Sequence, residues 1–189
     1  SVGLTCEYRY DGERALVLVL VSGTGRAVKI FSRNLEDNTS KYPDVIGAIR
    51  GAAADSVESC IIDSEAVGWD PVQKKLLSFQ VLSHRARKGV AIEDIKIRVC
   101  VFAFDILFLN GRSLLAEPLR RRRELLREHF HEVEGSFVFA TFKNIAAGEG
   151  ESAAVQPFLE EAVQHQCEGL MVKALDQQSE YLPNQRSYN

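Results

Sequence analysis

Apolar positions in this chain recur mostly with the two-residue period of strands and, in fewer stretches, with the roughly 3.6-residue period of helices. Leu4 to Tyr10 is a short apolar and aromatic run that breaks at Asp11-Gly12. That pair reads as a tight turn, and Ala15 to Val21 as the returning strand of a hairpin. On the first strand Glu7 shares a face with Arg9, while Tyr8 and Tyr10 take the other. Gly23-Thr24-Gly25 predicts a turn, and Ala27 to Ser32 a third strand ending at Arg33-Asn34. A polar loop, Leu35 to Lys41, leads to Pro43, which suits the first turn of a helix running to about Ala54.

Cys60 to Val67 reads as a buried strand carrying two carboxylates, Asp63 and Glu65, on one face. Buried acids are costly unless paired or bound to a cation. Either a salt bridge to a core arginine or a metal or ribose contact would account for them. Trp69-Asp70-Pro71 turns the chain, and Phe79 to His84 predicts one or two helical turns. Ile95 to Leu109 is the most hydrophobic strand, with Asp105 inside it and Asn110-Gly111 closing it. Pro118 to Phe130 is an amphipathic helix with Leu119, Leu125 and Leu126 inward. Phe137 to Ala140 is a short strand. Ser152, at the end of the loop Gly148 to Ser152, can cap a last helix from Ala153 to His165. Cys167 to Lys173 offers a carboxylate, a glycine and an apolar strand, and the tail from Asp176 to Asn189 is polar. Strands outnumber helices, connections are often hairpin-like, and neither a βαβ rhythm nor an internal repeat is present. The expectation is one α+β domain, antiparallel β-sheets packed against helices.

Composition narrows this little. Apolar residues at 46% and charged residues at 26% suit a soluble globular domain. No run approaches the roughly 18 apolar residues of a membrane span, and no basic segment followed by an apolar one opens the chain. Neither membrane insertion nor secretion is expected. Cys6, Cys60, Cys100 and Cys167 lie in or beside apolar stretches without CxxC spacing, which predicts buried free thiols. The net charge of −3 gives no support of its own for nucleic-acid binding. Basic residues cluster at 84–88, where either phosphate contact or a solvated loop fits. They cluster again at Arg120 to Arg123, where Glu124, Arg127 and Glu128 suggest a solvated helix face laced with ion pairs. His84, His129, His131 and His165 read as surface residues.

The segment Arg9-Tyr10-Asp11-Gly12-Glu13-Arg14 resembles the Lys-Tyr-Asp-Gly-x-Arg signature of the ATP-dependent DNA ligases. Ala103-Phe104-Asp105 and Glu168-Gly169-Leu170-Met171-Val172-Lys173 resemble two later motifs of that family, in the same order. Phe31 to Asp44 is similar to its eukaryotic replicative branch. The resemblance covers nearly the whole chain and implies the nucleotidyltransferase (ATP-grasp-like) fold of DNA ligases. It also implies that residues 1–189 are an adenylation domain ending before the family's last motif, Trp-Leu-Lys-Leu-Lys. DNA-binding and oligonucleotide-binding domains would lie outside this chain.

The implied reaction seals nicks in duplex DNA in the nucleus, in replication and repair, with ATP and Mg2+. A lysine takes AMP from ATP, AMP passes to the 5′-phosphate, and the 3′-hydroxyl then displaces it. On this chain, Glu7 would contact the adenine amino group and Phe104 would stack on the base. Glu65 would meet the ribose, and Lys173 would lie near the nucleotide. Arg14 and Arg33 would meet the phosphates and the DNA end, and Glu168, with Glu65, would hold the metal. The implied partners are nicked duplex DNA and, through regions outside this chain, a replication clamp; the protein would be a monomer. Its grip on DNA as a single domain of negative net charge is expected to be weak.

Arg9 stands where the family has its nucleophilic lysine. An amine can attack once it has lost its proton, whereas a guanidinium stays protonated in proteins. Self-adenylation is therefore expected to be lost. The other reading is a naturally inactive ligase-like module that binds nucleotide or nicked DNA without chemistry. An RNA-capping or RNA-ligase reading leaves the segment from Phe31 to Asp44 unexplained.

Overall fold

The longest apolar runs become the longest strands. The computed structural model describes residues 3–23, 25–85, 88–146 and 151–183. In chain order the elements are β1 (Leu4–Arg9), β2 (Glu13–Ser22), β3 (Gly25–Phe31), α1 (Pro43–Ala52), β4 (Ser59–Asp70), β5 (Lys75–Leu76) and α2 (Phe79–Ser83). They continue with β6 (Arg98–Leu109), β7 (Arg112–Ser113), α3 (Leu119–His129), β8 (Phe137–Phe139), β9 (Phe142–Ile145), α4 (Glu151–Gln164) and β10 (Gly169–Ala174). They form a 3-stranded sheet, β10-β1-β9, and a 7-stranded sheet running β3-β2-β4-β6-β7, with β5 on β4 and β8 on β6. The expected α+β architecture holds, with one exception to the antiparallel pattern: β8 lies parallel to β6.

The opening hairpin does not form. β1 and β2 are both strands, but β1 pairs with β10 and β9, while β2 pairs with β3 and β4. Asp11-Gly12 instead carries the chain from one sheet to the other. The crossover is close: a Cβ on Gly12 would lie 2.3 Å from the carbonyl oxygen of Ala66, so only glycine fits there. Asp11 accepts a bond from the backbone N–H of Phe79 at 3.1 Å, tying the crossover to α2.

Two apolar layers follow. One face of the larger sheet packs on α1 and α3 through Val17, Ile30, Ile49, Ile62, Val101 and Leu126. Its other face meets the smaller sheet and α4 through Tyr10, Val67, Phe102, Tyr8 and Phe158, with the Tyr10 and Phe102 rings stacked at 4.1 Å. All four cysteines are buried free thiols, and burial pushes Cys60, Cys100 and Cys167 up to about 12.

Several boundaries move. The hydrophobic strand begins at Arg98, because Ile92–Asp94 forms a turn of 3₁₀ helix first. The last helix begins at Glu151, which puts Ser152 inside its first turn and not at its cap. Thr24, Ala86, Arg87, residues 147–150 and the end of the polar tail from 184 on lie outside the described residues. Asn110 and Gly111 close β6 with φ of 48° and 83°, the left-handed pair that a tight hairpin turn requires.

Candidate functional site

The candidate residues come from both sheets and meet around the Phe104 ring. Pairing of β1 with β10 sets Thr5 opposite Lys173 and Glu7 opposite Met171. From there Lys173 Nζ donates to both oxygens of Glu7, at 2.9 and 3.1 Å. Arg123 Nη2, from α3, donates to Glu7 Oε1 at 3.0 Å. Glu7 is 3% exposed, so these two cations offset the desolvation of its charge. A cavity of about 10 Å³, room for a single water, lies beside it against Phe104, Phe139 and Phe142.

Pairing of β2 with β4 sets Arg14 opposite Glu65 and Leu16 opposite Asp63. Arg14 Nε and Nη2 donate as a fork to the two oxygens of Asp63, which is fully buried. Tyr181 donates its hydroxyl to Asp63 Oδ2 at 2.8 Å. Burial opposes the Arg14 charge, but the hydrogen bonds and charge of Asp63 outweigh it and raise the guanidinium pKa. Asp63 therefore takes the salt-bridge alternative.

The Glu65 side chain, two residues on, has no hydrogen bond or ion pair among the described residues. Its carboxyl is pushed up to about 7, chiefly by burial. Arg14 pulls the other way, and the charges of Asp63, Glu168 and Glu13 add to the rise.

The Phe104 ring joins the two halves. Arg14 Cζ and Lys173 Nζ each lie 4.8 Å from its centroid, so the ring carries a cation from each sheet. Arg9 pairs with Gly169 in the β1–β10 ladder, and its Nε lies 3.1 Å from a Glu168 oxygen. Both side chains are largely exposed (59% and 45%), so this pair contributes little stability. Glu7, Arg9, Arg14, Glu65, Phe104, Glu168 and Lys173 thus share one region. Arg33 stands exposed in the turn after β3 and makes no ion pair among the described residues.

Two basic clusters behave differently from their sequence reading. Arg122 and Arg123 are buried: Arg122 holds Asp105 through Nε at 2.8 Å and Nη2 at 3.0 Å, and Arg123 holds Glu7. Only the outer arginines follow expectation, Arg120 pairing with Asp176 and Arg121 with Glu124. The signal was present in the spacing. Leu119, Arg122, Arg123 and Leu126 fall at i, i+3, i+4 and i+7, the positions of a helix's buried stripe. Arg85 is likewise buried, against Asp44 and the Tyr42 ring, which takes it out of phosphate contact. Tyr181 carried no sequence signal, since its partner lies 118 residues away.

Among the described residues no group of three or more His, Cys, Asp or Glu is arranged to hold a metal ion. Glu65 and Glu168 offer two carboxylates that repel each other. That suits Mg2+, which takes one or two protein carboxylates and fills its shell with phosphate oxygens and water.

The mixed fold, two largely antiparallel sheets with helices packed on them, has nucleotidyltransferase domains of ATP-dependent ligases as its structural neighbours. The chain belongs to the ATP dependent DNA ligase domain family, which matches residues 1–189. It is 52% identical to DNA ligase 1 of Dictyostelium discoideum over 185 residues, covering 98% of this chain and 15% of that protein. It is 50% identical to DNA ligase 1 of Drosophila melanogaster over 186 residues, covering 98% of this chain and 24% of that one. Among solved structures, mycobacterial DNA ligase D complexed with ATP and MES superposes with a TM-score of 0.67 at 27% identity, over 98% of this chain and 52% of that chain. The chain spans about a quarter or less of the length of these curated relatives.

Proposed function

We propose that this chain is the adenylation domain of a nuclear, monomeric enzyme that seals nicks in duplex DNA with ATP and Mg2+. The observation that supports it most is the Phe104 ring carrying Arg14 and Lys173, with buried Glu7 on one side and under-neutralised Glu65 on the other. An adenine can stack on the ring and donate its amino hydrogens to Glu7, an acceptor by charge and by burial. Glu65 accepts from the ribose hydroxyls. Arg14 meets phosphate, joined by Arg33 when the DNA end is bound, and Lys173 lies beside the nucleotide. Glu168 and Glu65 would hold Mg2+, which when bound neutralises phosphate charge and orients in-line displacement.

Arg9 lies at the position from which the family's lysine attacks. Its permanent charge pairs with phosphate but has no lone pair to offer the α-phosphorus, so this chain does not charge itself with AMP. Attack of the nick's 3′-hydroxyl oxygen on a 5′-phosphate already carrying AMP forms the phosphodiester, breaks the bond to AMP, which leaves as the hydroxyl proton is lost, and needs no nucleophile at position 9. The test is sealing of two nicks by the complete polypeptide carrying Arg9 or Arg9→Lys, one nick ordinary with ATP and one pre-adenylated. The lysine form is expected to seal both and the arginine form only the second. Failure of both forms on both nicks would refute the ligase reading and leave a binding module.

A further inference from the structure

The segment after β10 returns to the site along a continuous set of bonds. Leu175 N donates to Gly3 O at 2.8 Å. Ser179 Oγ accepts from Leu119 N and donates to Leu175 O, each at 3.1 Å. Buried Arg122 donates to Ser179 O at 2.8 Å, so residues 175–179 are fixed against α3. Tyr181 N then donates to Leu115 O at 3.0 Å, and the half-buried phenol ends 2.8 Å from Asp63 Oδ2. Two donors of Arg14 and one of Tyr181 thus converge on a single buried carboxylate.

A carboxylate and the guanidinium forked onto it can rock together as one rigid plane. A third donor, anchored in a different segment, stops that motion. Of the side-chain nitrogens of Arg14, Nη1 alone has no hydrogen-bond partner among the described residues. We infer that Tyr181 is a positioning residue for Arg14: by donating to Asp63 it fixes the carboxylate that orients the guanidinium, leaving Nη1 as the donor for a bound phosphate. The inference rests on the reading of Arg14 as a phosphate contact, and makes the segment after β10 part of the phosphate subsite.

Tyr181→Phe removes the donor and keeps the ring. Calorimetric titration of this chain with AMP, ATP and adenosine separates a phosphate effect from a packing effect. Loss of one hydrogen bond to a charged group is expected to weaken AMP and ATP about three- to tenfold and leave adenosine within about twofold. Unchanged AMP affinity in Tyr181→Phe overturns the inference while leaving the Arg14 reading intact. An equal loss for adenosine also overturns it, because the ring would then act through packing. If the unaltered chain binds AMP no tighter than adenosine, the phosphate reading of Arg14 fails and the inference fails with it.

Discussion

Asp63 and Glu65 sit two residues apart on the same strand face, and their surroundings could hardly differ more. Asp63 is wholly buried and accepts three donors, two from Arg14 and one from Tyr181. Glu65, opposite Arg14 in the strand ladder, gets the influence of that arginine without its hydrogen bonds. The guanidinium fork reaches one carboxylate bidentately and leaves the other to electrostatics alone. Asp63 is therefore part of the framework. Glu65 carries an unmet demand for a cation or a donor, the condition in which binding a ligand gains most.

Removing the framework acid has the largest effect. Asp63→Ala leaves Arg14 partly buried without its counter-charge and is expected to lower unfolding free energy by about 3 kcal/mol, read by urea denaturation. A loss below about 1 kcal/mol would mean the fork contributes little in solution.

Glu65→Gln is expected to act in the opposite direction and only at high pH. Burial raises the folded-state pKa to about 7, above the unfolded value, so the unfolded chain releases this proton first. Stability from the protonated form is complete below the unfolded pKa and declines as pH rises toward about 7. The substitution should therefore leave stability unchanged near about pH 4 and raise it by roughly 1–3 kcal/mol near about pH 8, while weakening nucleotide binding. Thermal unfolding across that range checks the sign. Equal stabilisation at both ends would show that titration is not the cause.

The smallest effect belongs to charges in solvent. Arg121→Ala breaks the exposed 3.2 Å contact to Glu124 and should change stability by less than about 0.5 kcal/mol, whereas Arg122→Met, next along the helix, strands buried Asp105 and should cost several-fold more. A pair of denaturation curves makes the comparison directly.

What could be read from the sequence follows the reach of each signal. Strand runs such as Cys60 to Val67 and the leucines of α3 are local periodicities, and they hold. The Asp11-Gly12 hairpin failed because a turn signal says where the chain bends and not which strand it will meet. Both edges of β1 are taken by β9 and β10, from more than 130 residues away. Arg122 and Arg123 were legible in the buried-stripe spacing, but a run of four arginines beside glutamates suggests solvent. The motif residues were legible from resemblance. Their pairing was not: that Arg14 holds Asp63 and spares Glu65 depends on the β2–β4 register, and the third donor comes from the far end of the chain.

Whether the chain can take up AMP is decided by the group at position 9, where Arg9 pairs with Glu168. Intact-mass measurement of the complete polypeptide after incubation with Mg-ATP tests it most directly, in the Arg9 and Arg9→Lys forms side by side. The expected result is a mass increase of one AMP on the lysine form, mapped to residue 9, and none on the arginine form. An AMP adduct at position 9 of the arginine form, or none on the lysine form, would contradict it.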